Sequence, residues 1–141
     1  MVQVMEARME HVDTLCMIDK EVIGDNSRSE TIKKAVEERR CIICKMPHSI
    51  AGFLIFTIDF FECSFISFVI VKPSERRKGL ATLLLIDFVK RAPTAKIFSS
   101  TNRSNSQMQK VFETAGFKRS GYIENLDDDD PEIVYFISKV D

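Results

Sequence analysis

The segment richest in chemistry is Val71-Lys72-Pro73-Ser74-Glu75-Arg76-Arg77-Lys78-Gly79-Leu80-Ala81. It lies between a β-branched and aromatic run that ends at Val71 and an apolar helical pattern that begins after Gly79. A helix start presents up to four backbone N–H groups without intrahelical partners and a partial positive charge, which suits a phosphate or pyrophosphate. Gly79 lets a ligand approach the main chain closely, and the small Ala81 leaves room beside it. Arg76, Arg77 and Lys78 add mobile positive charge at the same spot, so the segment predicts an anion site. Two plainer uses of these residues stay open: a solvated basic turn broken by Gly79, and a basic patch for nucleic acid. The second is opposed by the net acidic charge and by the lack of aromatic residues among these cations. Neither Gly-x-Gly-x-x-Gly nor Gly-x-x-x-x-Gly-Lys-Ser/Thr is present in the segment, so a dinucleotide or nucleoside triphosphate loop does not fit.

The elements that must position this segment follow from hydrophobic spacing. Val12, Leu15, Ile18 and Val22 recur at helical intervals and Gly24 marks a stop, while Ser27-x-x-Glu30 predicts a capping box for a second helix carrying Ile32, Ala35 and Val36. Cys41 to Cys44, Ala51 to Phe61 and Phe65 to Val71 read as three successive strands joined by short turns. A helix from Gly79 ends before Pro93, Lys96 to Ser100 is a short strand, and Met108, Val111, Phe112 and Ala115 line a helix stopped by Gly116. A last pair of strands, Phe117 to Glu124 and Ile133 to Lys139, flanks Asp127-Asp128-Asp129-Asp130. The expected order is ββ or βαα followed by β-β-β-α-β-α-β-β, a mixed α/β sheet with helices packed on it.

Composition bounds the rest. With 141 residues the chain is expected to form one domain, burying roughly two thirds of its unfolded surface without staples. Lys plus Arg number 20 against 21 Asp plus Glu, and the net charge of -1 argues against a protein that mainly neutralises nucleic acid or an anionic bilayer. No apolar run of about 20 residues occurs and Met1 to Glu6 lacks a basic-then-apolar pattern, so a cytoplasmic protein with reduced thiols is expected. Cys41-x-x-Cys44 is not expected to hold a metal, since strand positions three apart face opposite ways and no second pair accompanies them. His11 and His48 form no local metal motif.

The element order, the strand closing on Val71-Lys72-Pro73, and Arg76-Arg77-Lys78-Gly79-Leu80-Ala81 together resemble the acyl-CoA loop of the GNAT superfamily of N-acetyltransferases, whose signature is Gln/Arg-x-x-Gly-x-Gly/Ala. Asn105 through Phe117 resembles the second family motif, an Asn, an aromatic seven residues on, and a Gly-Phe that ends the helix. Ser120 to Glu132 resembles the tail of small bacterial members, so the likeness extends over essentially the whole chain. It implies a single α/β (α+β) domain over residues 1–141, with a mixed, mostly antiparallel central sheet flanked by helices, and acetyl-CoA as acetyl donor. It further implies that the main chain of Val69 and Val71 pairs with the pantetheine arm. Arg77, Lys78, Gly79, Leu80, Ala81 and Thr82 would hold the pyrophosphate, with Arg76 beside them, while Asn105 would bond the pantetheine end and Phe112 would pack near the sulfur. For Asn105 the plain alternative is a locally satisfied helix start, and for Phe112 a core aromatic at helical spacing.

Acyl transfer needs a polarised carbonyl, a deprotonated amine and a thiolate able to leave. A backbone N–H near Val71 is placed to polarise the carbonyl. A lysine-like amine costs about 4 to 5 kcal/mol to deprotonate at pH 7, which calls for a base or a water chain. The resemblance puts a Tyr acid at the position of Phe112 and, in ribosomal-protein acetylases, a carboxylate base at that of Ser100; neither side chain present can serve. Proximity alone is then one route, and Glu62, Ser67 and Tyr122 are replacement candidates. Each also has a plainer role, as a solvated turn, a backbone-bonded strand residue and a half-buried strand aromatic. The aspartate run either draws in a cationic acceptor or serves as a solvated loop cap. The expected acceptor is a primary amine of a small molecule or peptide, with no nucleic-acid or membrane partner. A catalytically idle acyl-CoA-binding or protein-interaction module is the alternative, and the last strand is apolar enough either to pair across a homodimer or to finish a monomer's sheet.

Overall fold

The structure, a computed structural model, describes residues 1–139. Strand β1 (Gln3–Glu6) leads into helices α1 (Val12–Ile23) and α2 (Ser29–Glu37) and then into strands β2 (Cys41–Met46), β3 (Ser49–Phe60) and β4 (Cys63–Val71). Helix α3 (Leu80–Arg91), strand β5 (Lys96–Asn102), helix α4 (Ser106–Thr114) and strands β6 (Lys118–Ile123) and β7 (Glu132–Ser138) follow. The seven strands form one sheet in the order β1-β2-β3-β4-β5-β7-β6. Every neighbouring pair is antiparallel except β4 and β5, which gives the mixed sheet that the spacing predicts and the mostly antiparallel one that the resemblance implies.

Strand alternation distributes the core over the two faces. Ile43, Phe53 and Ile55 pack beneath Leu15 and Ile18 of α1 and Ile32 and Val36 of α2. Their sequence neighbours Ile42 and Leu54 turn the other way, joining Ile66, Ile97 and Tyr135 under Leu84, Leu85 and Phe88 of α3 and Phe112 of α4. At roughly 2 kcal/mol for each large apolar side chain removed from water, these two layers hold the helices on the sheet. Cys41 lies in the first layer and Cys44 in the second, so the pair shares no face.

Three expectations change. The Ser27-Glu30 capping box does not form: the Ser27 N–H bonds Asp25 Oδ1 at 2.9 Å in an Asx turn, and α2 begins only after Arg28. Arg28 is drawn elsewhere, its Nε 3.0 Å from Oδ2 of the buried Asp19 and its guanidinium 4.4 Å over the Phe68 ring. Strand β7 has β5 on one side and β6 on the other, so it is no free edge for pairing across a dimer; the edges are β1 and β6. Tyr122, on the β6 edge, is 65% exposed rather than half-buried.

The Tyr135 ring stacks on Phe112 at 4.8 Å with its planes 19° apart, yet its hydroxyl is buried with no hydrogen-bond partner among the described residues. An unmet buried hydroxyl costs free energy that the bare ring would not. Tyr135→Phe is therefore expected to stabilise the protein by about 1 kcal/mol, read as a rise of a few degrees in Tm. An unchanged or lower Tm would show that the hydroxyl is satisfied.

Candidate active site

The site begins where two parallel strands part. β4 and β5 are paired only through Ser64/Ile97, Phe65/Phe98 and Ile66/Ser99. The cause is local: on the β3 side Phe56 faces Ile66 and Ile55 faces Phe68, leaving Ser67 as the extra residue of a β-bulge, which bends a strand. The Ser67 hydroxyl donates to the Ile55 carbonyl at 3.2 Å. Beyond the bulge the Lys72 N–H reaches back to the Ala51 carbonyl on β3 at 2.7 Å. Strand alternation then turns the main-chain groups of Val71 and Val69 away from β3 and into the fork, where a further extended chain can pair with them.

The loop after β4 aims at the same opening. Pro73–Glu75 make one 3-10 turn, Arg77 takes a left-handed φ of 66°, and Gly79 takes φ 76° and ψ 17° immediately before α3. Left-handed residues set into such a loop curl successive N–H groups toward one concave side, which favours an anion. The first bond of α3 runs from the Leu83 N–H to the Gly79 carbonyl at 3.0 Å, so the N–H groups of Leu80, Ala81 and Thr82 stand ahead of the helical ladder. Because the cap residue is glycine, no side chain covers them.

A cavity of about 370 Å³ joins fork and loop. Val69 and Val71 line it from β4; Arg76, Arg77, Gly79, Leu80, Ala81 and Thr82 line it from the loop and α3, and Asn105 from the start of α4. Asn105 also does local work, its Oδ1 accepting the Met108 N–H at 3.0 Å, which leaves its amide nitrogen for a ligand. Lys78 is absent from the lining and bonds Glu75 Oε1 at 2.7 Å. Phe112 is 1% exposed and stacked in the core, so it supports the site from behind without lining it.

The three replacement catalysts scatter. Glu62 sits in the exposed β3–β4 turn, seven residues from Val69 and so about 20 Å away along the strand. Tyr122 is on β6, three strands from β4 and roughly 14 Å off in the sheet. Ser67 alone stands at the fork, with its proton given to a backbone carbonyl. Two of the four aspartates have structural duties: Asp127 accepts from Asn102 Nδ2 at 2.8 Å, and Asp130 accepts from the Ser104 hydroxyl at 2.6 Å and its N–H at 3.0 Å. Those Ser104 bonds hold the Asp130 carboxyl below the ordinary carboxylate range.

Sequence reasoning missed other parts of this wall. Val22 reaches the cavity from α1, and Met108 and Val111 supply an apolar side from α4. Their helical spacing is the same signal that marks ordinary core residues, so only the packing separates the two uses. Gly52 on β3 faces Val71, and a Cβ there would fall 2.6 Å from the Ile70 carbonyl oxygen.

A model of the Acetyltransferase (GNAT) family matches residues 9–117. The chain belongs to this family. A GNAT-family acetyltransferase from Bacillus cereus is 48% identical over 100% of this chain and 99% of its own, with a TM-score of 0.97. The ribosomal-protein-S18-alanine N-acetyltransferase from Escherichia coli shares the fold at 18% identity and TM-score 0.81, covering 98% of this chain and 94% of the other. YncA from Salmonella typhimurium, solved with its cofactor acetyl-CoA, does so at 14% identity and TM-score 0.80, covering 100% and 95%. No match was found among curated protein sequences. As a GNAT chain, the protein is an acyltransferase whose fork and loop occupy the centre of the matched region.

Proposed function

We propose that residues 1–141 act as one N-acetyltransferase domain that moves an acetyl group from acetyl-CoA to a primary amine of a small molecule or peptide, by direct attack in a ternary complex. The observation that carries this reading is the convergence of a strand fork and an uncapped helix start on one cavity. The pyrophosphate of the donor rests on the N–H groups of Arg77 to Thr82, with the Arg76 and Arg77 side chains beside it. The pantetheine arm continues along Val69 and Val71 as an added strand, and the Asn105 amide nitrogen bonds its amide end. The YncA complex with acetyl-CoA supports the choice of carrier.

A main-chain N–H at the free edge of β4 donates to the thioester oxygen as negative charge grows on it, and pairing along the fork fixes the distance of attack. The leaving thiolate has a pKa of about 8.5, so it departs without an acid at the position of Phe112. The chain's own buried thiols stay clear of a thiol-release assay, since burial pushes Cys41 up to about 12 and Cys44 up as well. No helix among the described residues is long and apolar enough to cross a membrane.

The test pairs calorimetry of acetyl-CoA with acceptor-dependent release of free thiol over a panel of polyamines, aminoglycosides and free-N-terminus peptides. Saturable binding with thiol release is expected. Binding without release from any amine would favour the idle acyl-CoA module, and no binding would remove the donor. Steeply salt-dependent association with RNA or DNA would instead point to the basic loop as a nucleic-acid patch.

A further inference from the structure

We propose that Glu132, held by Ser100, is the group that takes the proton from the acceptor amine. This rests on the acetyl-transfer reading and names the base for it.

Ser100 is the first residue of β5 past Ser99, whose pairing with Ile66 is the last before the strands part. Its hydroxyl donates to Glu132 Oε2 at 2.7 Å. β5 and β7 pair with Ser100 opposite Val134 and Asn102 opposite Glu132, so Ser100 and Glu132 are diagonal neighbours on one face. That face also carries Phe98, opposite Phe65 on β4 and Phe136 on β7, and alternation makes it the face of α1 and α2. The fork is a slot through the sheet, and the anion-binding loop leads into α3 on the opposite face. A carrier arm entering from the α3 side leaves the α1–α2 side of the slot open, and an amine attacking the thioester approaches there. The carboxylate of Glu132 is tied to the first residue beside that opening.

Other carboxylates near the site are engaged differently. Asp19 is paired with Arg28 and Glu75 with Lys78, while Asp127 and Asp130 brace the loop after β5. Glu132 receives its bond from a neutral hydroxyl, and among the described residues no ion pair joins it to a cation. The charged groups around it are Glu124, which follows its β6 partner Ile123, Asp127 to Asp130 in the connecting loop, and Arg103, whose N–H bonds the Pro131 carbonyl at 2.8 Å. Across the slot, on the α1–α2 side, Arg28 lies over Phe68. The surplus is negative, which suits an acceptor that arrives as an ammonium ion.

The ammonium passes one proton to Glu132, which becomes the carboxylic acid and later returns that proton to solvent. The freed nitrogen pair forms the C–N bond, the C–S bond breaks with its pair going to sulfur, and the second proton leaving nitrogen goes to the thiolate. The products are an amide and free CoA.

The test measures kcat/KM from pH 6 to 10 for wild type, Glu132→Gln and Ser100→Ala, with spermidine, 2-phenylethylamine and a free-N-terminus tetrapeptide as acceptors. Glu132→Gln should lower kcat/KM at pH 7 by roughly 10²- to 10³-fold. The deficit should shrink toward pH 10, where amines lose the proton unaided, and the acetyl-CoA Kd should stay within about twofold. Ser100→Ala should lose roughly 3- to 10-fold at pH 7, the size expected for one hydrogen bond, and recover in the same direction. A Glu132→Gln enzyme with the wild-type rate, or one equally depressed at every pH, overturns the assignment and leaves the acetyl-transfer reading intact. Should Glu132→Gln fail to fold, a Ser100→Ala profile superimposable on wild type overturns it alone. A wild type that neither binds acetyl-CoA nor releases thiol with any of the three amines removes the reading and the base together.

Discussion

Gly79→Val should raise the Kd for acetyl-CoA at least 30-fold while the protein stays folded. Gly79 holds φ 76° and ψ 17°, a conformation that costs an L-residue about 1 to 2 kcal/mol and a β-branched one more. A Cβ built there meets nothing within 4 Å, so the penalty comes from the backbone and not from a clash. The loop is exposed from Arg76 to Gly79 and can relieve the strain by rotating. Rotation redirects the N–H groups of Gly79 and Leu80, which are the ones proposed to meet the pyrophosphate. Several hydrogen bonds to a charged group are then lost together, each worth about 1.5 to 3 kcal/mol. Calorimetry gives the Kd and a melting scan the fold, with Tm falling only a few degrees. Gly24→Ala is the control, because Gly24 is equally left-handed at φ 92° but ends α1 rather than starting α3. It should lose Tm and keep Kd. A Gly79→Val protein with the wild-type Kd would place the pyrophosphate elsewhere.

The loop between β4 and α3 was legible because its signals are local: a strand end, cations, a glycine and an apolar helical run within eleven residues. Helices α1 and α3 were legible for the same reason, their apolar faces repeating over three turns. Ser27-x-x-Glu30 misled because the capping box is also a local signal, and here a contact from outside its window wins. Arg28 reaches Asp19 and Phe68, and the N-cap of α2 falls on Arg28, one residue later than the box predicts. Phe112 satisfied both a family position and helical spacing, and the spacing describes where it lies, stacked between α4 and β7. A half-buried Tyr122 needs a covered strand, but β6 is the sheet edge and the whole strand is exposed. The hidden features depend on helix packing and on register between strands, neither of which shows within a short window of sequence. Ser67 is a bulge only relative to Ile55 and Phe56, and Glu132 meets Ser100 only because β7 enters between β5 and β6.

Gly52 is the sharpest of these register effects, and Gly52→Ala is expected to damage both stability and catalysis. Gly52 sits opposite Val71, at the end of β4 that forms one edge of the fork. Its missing side chain matters because a Cβ would lie 2.6 Å from the Ile70 carbonyl oxygen and 3.2 Å from the Val71 Cα. Both atoms belong to the backbone, so no rotamer change makes room, and the strand itself must move. Forcing atoms into a packed interior costs roughly 1 to 3 kcal/mol, which predicts a drop of several degrees in Tm. The displaced residues are Ile70 and Val71, so the N–H groups proposed to guide the carrier and polarise its carbonyl shift with them. Misplacing reacting groups by about 1 Å can cost on the order of 10²-fold, and kcat/KM should fall by about that factor. Stability and rate fall together here, whereas Gly24→Ala, whose strain falls on the end of α1 and not on β4, should lower Tm at unchanged kcat/KM. If Gly52→Ala keeps the wild-type kcat/KM after a measured loss of Tm, the end of β4 is not what holds the thioester in line.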